Sequence, residues 1–169
     1  AEAVTVMAVQ ARGLICLALT EQRCRAVGLD LMVPNSRAQH GVGFTRSIEA
    51  ATGVSTGISA ADRARSIQVA VDPASGPADL VQPGHIFPVQ ALPGGVMQRA
   101  GHVEAACDLT RLAGLQPAAT LVGILNEDGE LARGAELHEF AHRHGLRIGS
   151  IADLIHYRIL HGGTIGRGR

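Results

Sequence analysis

The sequence QPGHIFPVQALPGGVMQRAGHVE, residues 82–104, joins a short apolar strand to two turns that each carry a histidine. Pro83-Gly84-His85 precedes the strand, and Arg99-Ala100-Gly101-His102 follows a Pro-Gly-Gly turn. A glycine directly before a histidine lets the backbone approach a ligand closely, and an arginine offers a planar charged group suited to phosphate or carboxylate. The stretch therefore predicts either a binding site or two ordinary turns whose histidines cover loops. Spacing alone favours the turns.

Composition predicts one domain with an aliphatic core. The 169 residues are 46% hydrophobic, 18% charged and only 2% aromatic. This apolar content excludes intrinsic disorder, and the scarcity of aromatic residues means that valine, leucine, isoleucine and alanine must fill the core. Such a composition suits parallel or mixed sheets covered by helices.

The charged residues exclude several kinds of function. All 15 basic residues are arginines, which excludes a Schiff-base lysine mechanism, and they balance 15 acidic residues to a net charge of zero. Without a basic run, the chain shows no electrostatic footprint for nucleic acid or an anionic membrane. Three widely spaced cysteines, Cys16, Cys24 and Cys107, favour reduced thiols and a cytoplasmic protein.

Hydrophobic periodicity predicts that helices and strands alternate along the chain. Helices are expected over residues 2–10, 60–71, 103–112 and 136–144, with shorter ones capped by Thr20 and Ser150. Strands are expected over residues 14–19, 44–50, 118–125 and 146–149, with 118–125 as a central strand. The predicted fold is a mixed sheet covered by helices, an α/β or layered α+β domain over residues 1–161, followed by a flexible tail, 162–169.

Two further polar motifs have plain structural interpretations. Ser59 followed by Asp62 is a capping-box-like helix start, and capping is at least as good an interpretation as a ligand role. His138, His142 and His144 lie on one predicted helix, but only the first two share a face. Such a pair on one helix face is more often solvated surface than a metal site, and we interpret these histidines as solvated surface.

Several motifs together resemble one enzyme family. The chain is similar, from about residue 2 to about residue 157, to the 3,4-dihydroxy-2-butanone 4-phosphate synthases. The motifs that carry the likeness, in order, are GLIC (13–16), HGVGFT (40–45), TGISAADR (56–63), PGHIFP (83–88), RAGHVEA (99–105) and NEDG (126–129).

The resemblance implies a magnesium- or manganese-dependent lyase of riboflavin biosynthesis. Such an enzyme converts ribulose 5-phosphate into 3,4-dihydroxy-2-butanone 4-phosphate and formate, and works as a cytoplasmic homodimer with an α/β fold. Carried over to this chain, the family's catalytic histidine corresponds to His85 and its metal-binding histidine to His102. Its substrate-binding turn corresponds to Arg99, Ala100, Gly101, His102 and Val103.

The chain also departs from the family pattern. The family's acidic N-terminal loop, which supplies another metal ligand, has no counterpart here, so we expect a divergent or N-terminally truncated member. Gly123 stands where the family has a catalytic glutamate, and Val42 and Val103 replace threonines. The expectation is an enzyme acting on ribulose 5-phosphate or a related small hydroxy-ketone. The alternative is a catalytically inactive relative that serves as a binding or regulatory subunit.

Overall fold

A mixed β-sheet with helices on both faces forms the centre of the structure, a computed structural model that describes residues 1–34 and 41–161. The predicted tail, 162–169, and His40 of the HGVGFT motif lie outside the described residues. No helix among the described residues is both long enough and apolar enough to cross a membrane. In chain order the elements are α1 Glu2–Val6, a π-helical turn Met7–Ala11, β1 Arg12–Thr20, α2 Glu21–Ala26, β2 Gly43–Phe44, β3 Ile48–Ala50, α3 Ala60–Val71, β4 Leu80–Ala91, α4 His102–Leu112, β5 Ala119–Ile124, α5 Ala135–His144 and α6 Ile151–His161.

The strand order β2-β4-β1-β5, with β3 also paired to β4, combines parallel and antiparallel neighbours. β1 runs parallel to β4, with Cys16 opposite Phe87, and antiparallel to β5, with Cys16 opposite Leu121. The prediction of a mixed sheet is therefore confirmed. The prediction that 118–125 forms a central strand is wrong for the described residues, where β5 ends the strand order. The strand is apolar because its side chains pack on the two faces of the sheet, and an edge strand can pack in this way as well as a central one.

Each face of the sheet carries its own apolar cluster. Ile15, Leu17 and Ile86 point to one face and pack with residues of α1, α2 and α3. Ala18 and Val89 point to the other face and pack with α4. Side chains alternate between the faces along each strand, so both faces are covered by helices as the composition predicts.

Two predicted segments differ in the structure. Pro83-Gly84-His85 is not a turn, because it lies within β4, between the residues of β4 that pair with β3 (Leu80 and Val81 before it, Ile86 after it). Gly84 allows this pairing: its N–H donates to Ser47 Oγ at 3.1 Å, and a Cβ at position 84 would overlap the backbone of Ile48. The predicted strand 44–50 is divided into β2 and β3, and 146–149 forms no strand.

Side-chain caps begin three of the helices where the sequence predicts them. Thr20 Oγ accepts the N–H of Arg23 at 3.1 Å at the start of α2. Ser59 Oγ accepts the N–H of Asp62 at 3.0 Å at the start of α3, and Ser150 caps α6 in the same way. The caps satisfy backbone N–H groups that the helices leave without partners, which is why these local signals are reliable.

Asp62 does more than occupy the first turn of α3. Its buried carboxylate accepts the hydroxyl of Ser55 at 2.8 Å and the backbone N–H groups of Ser55 and Gly57 at 3.2 and 3.0 Å. The hydroxyl hydrogen bond from Ser55, followed by these backbone bonds, lowers the pKa of the Asp62 carboxyl below its ordinary value, against the opposing effect of burial. The loop before α3 is therefore folded back onto the helix by one charged group.

Asp108 joins α4, α6 and the turn before α4. Its carboxylate is fully buried and accepts from Arg111 Nη1 and the N–H of Val96, both at 2.9 Å, and from Arg158 Nη1 of α6. A Cβ at position 95 would overlap the carboxylate, so Gly95 leaves the space that it occupies. The last helix is thus docked through a buried ion pair as well as through apolar contacts.

Replacing Asp108 by alanine should destabilise the protein strongly. The change leaves Arg158 and the N–H of Val96 without their buried acceptor, and breaking such a pair from one side costs about 3–5 kcal/mol of unfolding free energy. Urea unfolding measures the difference. Glu139→Ala, in an exposed ion pair on α5, is the matched control and should change stability by less than about 1 kcal/mol. Equal effects of the two variants would contradict the structural role of Asp108.

Because of Asp62, the free energy of unfolding should depend on pH under acidic conditions. Because the folded protein lowers the pKa of this carboxyl, its ionised form stabilises the fold above the unfolded value of about 3.9, and this contribution is lost as the pH falls through the folded pKa. Urea unfolding of wild type and Asp62→Asn at pH 7 and pH 3 tests this. The stability difference between them should be larger at pH 7, and a difference that grows in acid would contradict it.

Candidate active site

Arg99 is held in place by Glu104 at the beginning of α4. Its Nε and Nη2 atoms donate to the two carboxylate oxygens of Glu104 at 3.0 and 2.7 Å, and Nη1 donates to the carbonyl of Gly41. Glu104 is fully buried and also accepts the N–H of Leu92 at 2.9 Å. The predicted anion-binding arginine is therefore part of a fixed ion pair, and it offers a ligand the second N–H of Nη1 and of Nη2.

The turn 99–103 ends in an open helix N-terminus. Gly101 is the N-cap of α4 and provides no side-chain cap, so the first backbone N–H groups of the helix have no partner within it. A Cβ at position 101 would overlap the Glu104 carboxylate, so glycine is needed where the turn crosses the ion pair. N–H groups that have no partner within the helix, together with the helix dipole, make this end of α4 chemically suited to an anion.

His102, the first residue of α4, is exposed beside a large cavity. The cavity has a volume of about 730 Å³ and lies between α4, β5 and α6. Its lining includes Ala106 of α4, Leu121 of β5 and Tyr157 of α6, and it is mostly apolar. The imidazole thus lies at the border between an anion-binding helix end and a cavity of ligand size.

His85 occupies a different environment, on β4 beside β3. Its Nδ1 lies 2.6 Å from Glu49 Oε2, within hydrogen-bonding distance. The imidazole keeps 43% of its surface exposed, whereas the Glu49 side chain is nearly buried. An exposed imidazole with one nitrogen engaged by a carboxylate has the chemistry of a proton-transfer group.

Position 123 lies on the side of the sheet that carries α4 and His102. Side chains alternate along β5: Val122 packs with the cluster on the α3 side, whereas Leu121, which shares a face with position 123, packs with the cluster on the α4 side. The side that carries α4 and His102 is therefore the side on which any residue at position 123 would project.

Position 123 has room for a side chain. Gly123 is exposed, and a Cβ there would meet only the flexible end of Leu131, at 3.3 Å. The neighbouring Gly13 is different, because a Cβ at position 13 would overlap the carbonyl of Gly123. Gly13 is thus required by the close approach of β1 and β5, while no contact with residues 1–34 or 41–161 requires glycine at position 123.

The cysteines are not activated. All three are free thiols, and burial raises the pKa of Cys24 to about 11 and that of Cys107 to about 12. Burial also raises the pKa of Cys16, on the face of the sheet that carries α4. A thiol with a raised pKa is a weak nucleophile at neutral pH, in agreement with a packing role.

The described residues do not complete a site for a hard metal ion. Among residues 1–34 and 41–161, no three His, Cys, Asp or Glu side chains lie close enough to one another to hold a metal. His102 supplies one imidazole, whereas magnesium prefers several oxygen ligands in octahedral geometry. His138 and His142 of α5 are exposed, and His144 packs against Phe140 with ring centroids 4.4 Å apart.

Sequence reasoning missed the two carboxylates that hold the candidate site residues. Glu49 holds His85, and Glu104 holds Arg99. A signal existed for Glu49, because residues 45, 47 and 49 alternate as polar residues on one face of a predicted strand. No comparable signal marks Glu104, since its spacing from Arg99 becomes meaningful only when the turn before α4 is known.

Comparison with known proteins agrees with the motifs. The sequence profile of 3,4-dihydroxy-2-butanone 4-phosphate synthase matches residues 1–157. A protein of that name from Pseudomonas syringae pv. tomato is 58% identical over 99% of this chain and 45% of its own length. The chain thus spans about half the length of this curated relative.

Solved structures extend the likeness to the fold. A two-domain 3,4-dihydroxy-2-butanone 4-phosphate synthase from A. baumannii superposes with a TM-score of 0.89 at 54% identity, covering 93% of this chain and 46% of that one. Another synthase, in complex with two magnesium ions, has a TM-score of 0.88 at 36% identity, covering 95% and 81%. The fold and family predicted from the motifs are confirmed. The chain belongs to the 3,4-dihydroxy-2-butanone 4-phosphate synthase family.

Proposed function

We propose that this chain forms the site at which ribulose 5-phosphate is converted into 3,4-dihydroxy-2-butanone 4-phosphate and formate, a lyase reaction of riboflavin biosynthesis. The observation that carries the proposal is the open N-terminus of α4, with Arg99 and the exposed His102 beside it. Family membership supplies the reaction, and this geometry supplies a place for a phosphorylated sugar. The second candidate for the substrate is a related small hydroxy-ketone.

The substrate phosphate is assigned to the turn 99–103. Backbone N–H groups at the start of α4 would donate to its oxygens, and the remaining N–H groups of Arg99 would add charge-assisted bonds. Ala100 and Gly101 carry no large side chain that would obstruct this approach. The fixed Arg99–Glu104 pair keeps the turn in a single geometry before a ligand arrives, which reduces the ordering cost of binding.

His85 is assigned to proton transfer. The reaction moves protons between carbon and oxygen atoms of the sugar, which requires side chains that can accept and donate protons. The imidazole of His85 is such a group, and it is exposed, with Nδ1 within hydrogen-bonding distance of Glu49. His102 is assigned to the metal, Mg²⁺ or Mn²⁺, whose role would be to bind neighbouring sugar oxygens. Further oxygen ligands would have to come from the substrate, from water or from residues outside the described part of the chain.

The assembly and location are proposals of the same kind. The family resemblance supports a homodimer, and the three free thiols support a reducing compartment such as the cytoplasm. The non-catalytic alternative rests on Gly123 as a lost glutamate. Position 123 faces the same side as His102 and has room for a longer side chain, so the effect of that carboxylate can be tested directly.

Formate release from ribulose 5-phosphate and Mg²⁺ by the full-length protein tests the reaction. His85→Gln should reduce the rate by about 10²- to 10⁴-fold, the usual cost of losing an acid–base group. Gly123→Glu should raise it if a carboxylate there contributes to catalysis. Glu139→Gln, an exposed change on α5, should leave it unaltered. Absence of formate from both wild type and Gly123→Glu would reject the proposal.

Titration calorimetry with ribulose 5-phosphate, with and without Mg²⁺, separates an enzyme from a structural relative. Wild type should bind the sugar phosphate, and Arg99→Met should weaken binding at least about tenfold, because it removes the guanidinium and leaves Glu104 buried without its partner. His102→Ala should remove the part of the affinity that depends on the metal. Binding that is absent in wild type would favour a purely structural role.

A further inference from the structure

We propose that Glu104 is a positioning residue: it fixes the plane of the Arg99 guanidinium, so that the N–H groups outside the ion pair are oriented for the substrate phosphate before it binds. The inference deepens the proposed function and rests on it for the phosphate. Its observation is a fully buried carboxylate that binds Arg99 side-on, with Nε 3.0 Å from Oε2 and Nη2 2.7 Å from Oε1. Two parallel hydrogen bonds fix a planar guanidinium, whereas a single bond leaves it free to rotate.

Glu104 works against the charge of the arginine that it holds. A carboxylate in contact with a guanidinium offsets its positive charge, so the pair attracts an anion less strongly than Arg99 alone would. Burying a carboxylate is also costly unless its hydrogen-bond partners are in place. A site that needed only positive charge would bind an anion better without Glu104. What Glu104 contributes to anion binding is therefore the orientation of Arg99.

A second acceptor holds the other branch of the guanidinium. Nη1 donates to the carbonyl of Gly41, which belongs to the HGVGFT motif. Gly41 has a left-handed backbone with a φ of 60°, a conformation that glycine adopts without a steric cost. With Nε, Nη1 and Nη2 each bonded, one N–H of Nη1 and one of Nη2 remain for a ligand. The HGVGFT motif thus has a part in holding Arg99.

The carboxylate of Glu104 is itself confined. Its Oε1 accepts the N–H of Leu92, which directly follows β4, at 2.9 Å. On another side, a Cβ at position 101 would lie only 2.5 Å from Oε2, so Gly101 packs directly against it. Glu104 also belongs to the first turn of α4, the turn whose N–H groups face the proposed phosphate. Arg99 and these N–H groups therefore keep a constant position relative to each other.

Titration calorimetry of the full-length protein with ribulose 5-phosphate and Mg²⁺ separates orientation from charge, because the two predict changes of opposite sign. Glu104→Gln removes a negative charge, but its amide nitrogen is a donor and cannot accept a hydrogen bond from Arg99. If orientation matters, its dissociation constant should rise at least about tenfold. If only charge matters, the variant should bind more tightly than wild type. Glu104→Asp keeps the charge on a shorter side chain and should lie between wild type and Glu104→Gln.

Kinetics of formate release provide the second measurement. Glu104 acts on the phosphate, which is remote from the reacting carbon atoms, so Glu104→Gln should raise KM in parallel with the dissociation constant. Its kcat should change less than about threefold, as expected for the loss of an interaction made equally in the ground state and the transition state.

Two control variants separate positioning from net charge and from stability. Glu139→Gln removes one negative charge, as Glu104→Gln does, but from an exposed ion pair on α5, and it should match wild type. Asp108→Asn alters another fully buried carboxylate of α4, one that binds Arg111 and Arg158. It should lower the unfolding temperature, yet leave the dissociation constant within about twofold of the wild-type value, because it does not contact Arg99.

The orientation of Arg99 can also be measured without a ligand, by NMR of the full-length protein with ¹⁵N-labelled arginine. A guanidinium held by two parallel hydrogen bonds rotates slowly about its C–N bonds. Wild type should therefore give separate signals for the Nη hydrogens of Arg99, identified by their loss in Arg99→Met. In Glu104→Gln these signals should merge.

The outcomes distinguish this proposal from the proposed function. Binding by Glu104→Gln that equals or exceeds wild-type binding would overturn the role of Glu104, and so would an equal loss of affinity in Asp108→Asn. A wild type that neither binds ribulose 5-phosphate nor releases formate would reject the function, while Arg99 signals that merge in Glu104→Gln would still support the positioning contact. Arg99 signals that are the same in both proteins would overturn that contact whatever the activity of wild type.

Discussion

The buried carboxylate of Glu104 is the contact on which the candidate site depends. It binds Arg99 through two hydrogen bonds and the N–H of Leu92 through a third, and so ties the end of β4 to the start of α4. Without it Arg99 would lose two of its side-chain hydrogen bonds and the N–H of Leu92 would lose its acceptor, so the turn 99–103 would be held less firmly against the end of β4. A carboxylate with 0% exposure is stable only when all its hydrogen-bond partners are in place. This requirement constrains the end of β4, the turn and the start of α4 together.

The same device recurs elsewhere in the fold. Asp62 folds a loop onto α3, Asp108 docks α6 onto α4, and Glu49 engages His85, and each of these carboxylates is buried and bonded. The chain has few aromatic residues to define its core by shape, since its clusters consist of small aliphatic side chains. A core of this kind does not fix the positions of the loops by itself. Buried charged groups, whose hydrogen bonds require a defined geometry, fix them instead.

Local chemistry explains which predictions succeeded. Ser59 and Thr20 cap helices at the predicted residues because an N-cap needs only backbone groups two or three positions away. The segment Pro83-Gly84-His85 was predicted as a turn because proline and glycine usually mark one. It is a strand because Gly84 packs against the backbone of Ile48 in β3. The two strands are far apart in sequence: His85 and Glu49, which are in contact, are 36 residues apart. Long-range pairing overrides local preference there.

The sequence by itself determined the family, the mixed sheet covered by helices, the helix caps and the identity of the residues proposed for the site. These depend on periodicity and on short motifs, which a chain carries before it folds. Only the tertiary structure decided that Arg99 is bound by Glu104, that His85 is bound by Glu49 and that position 123 faces the side of His102. The reason is physical: each relation joins different elements, so it follows from strand register and helix packing, which no local pattern encodes.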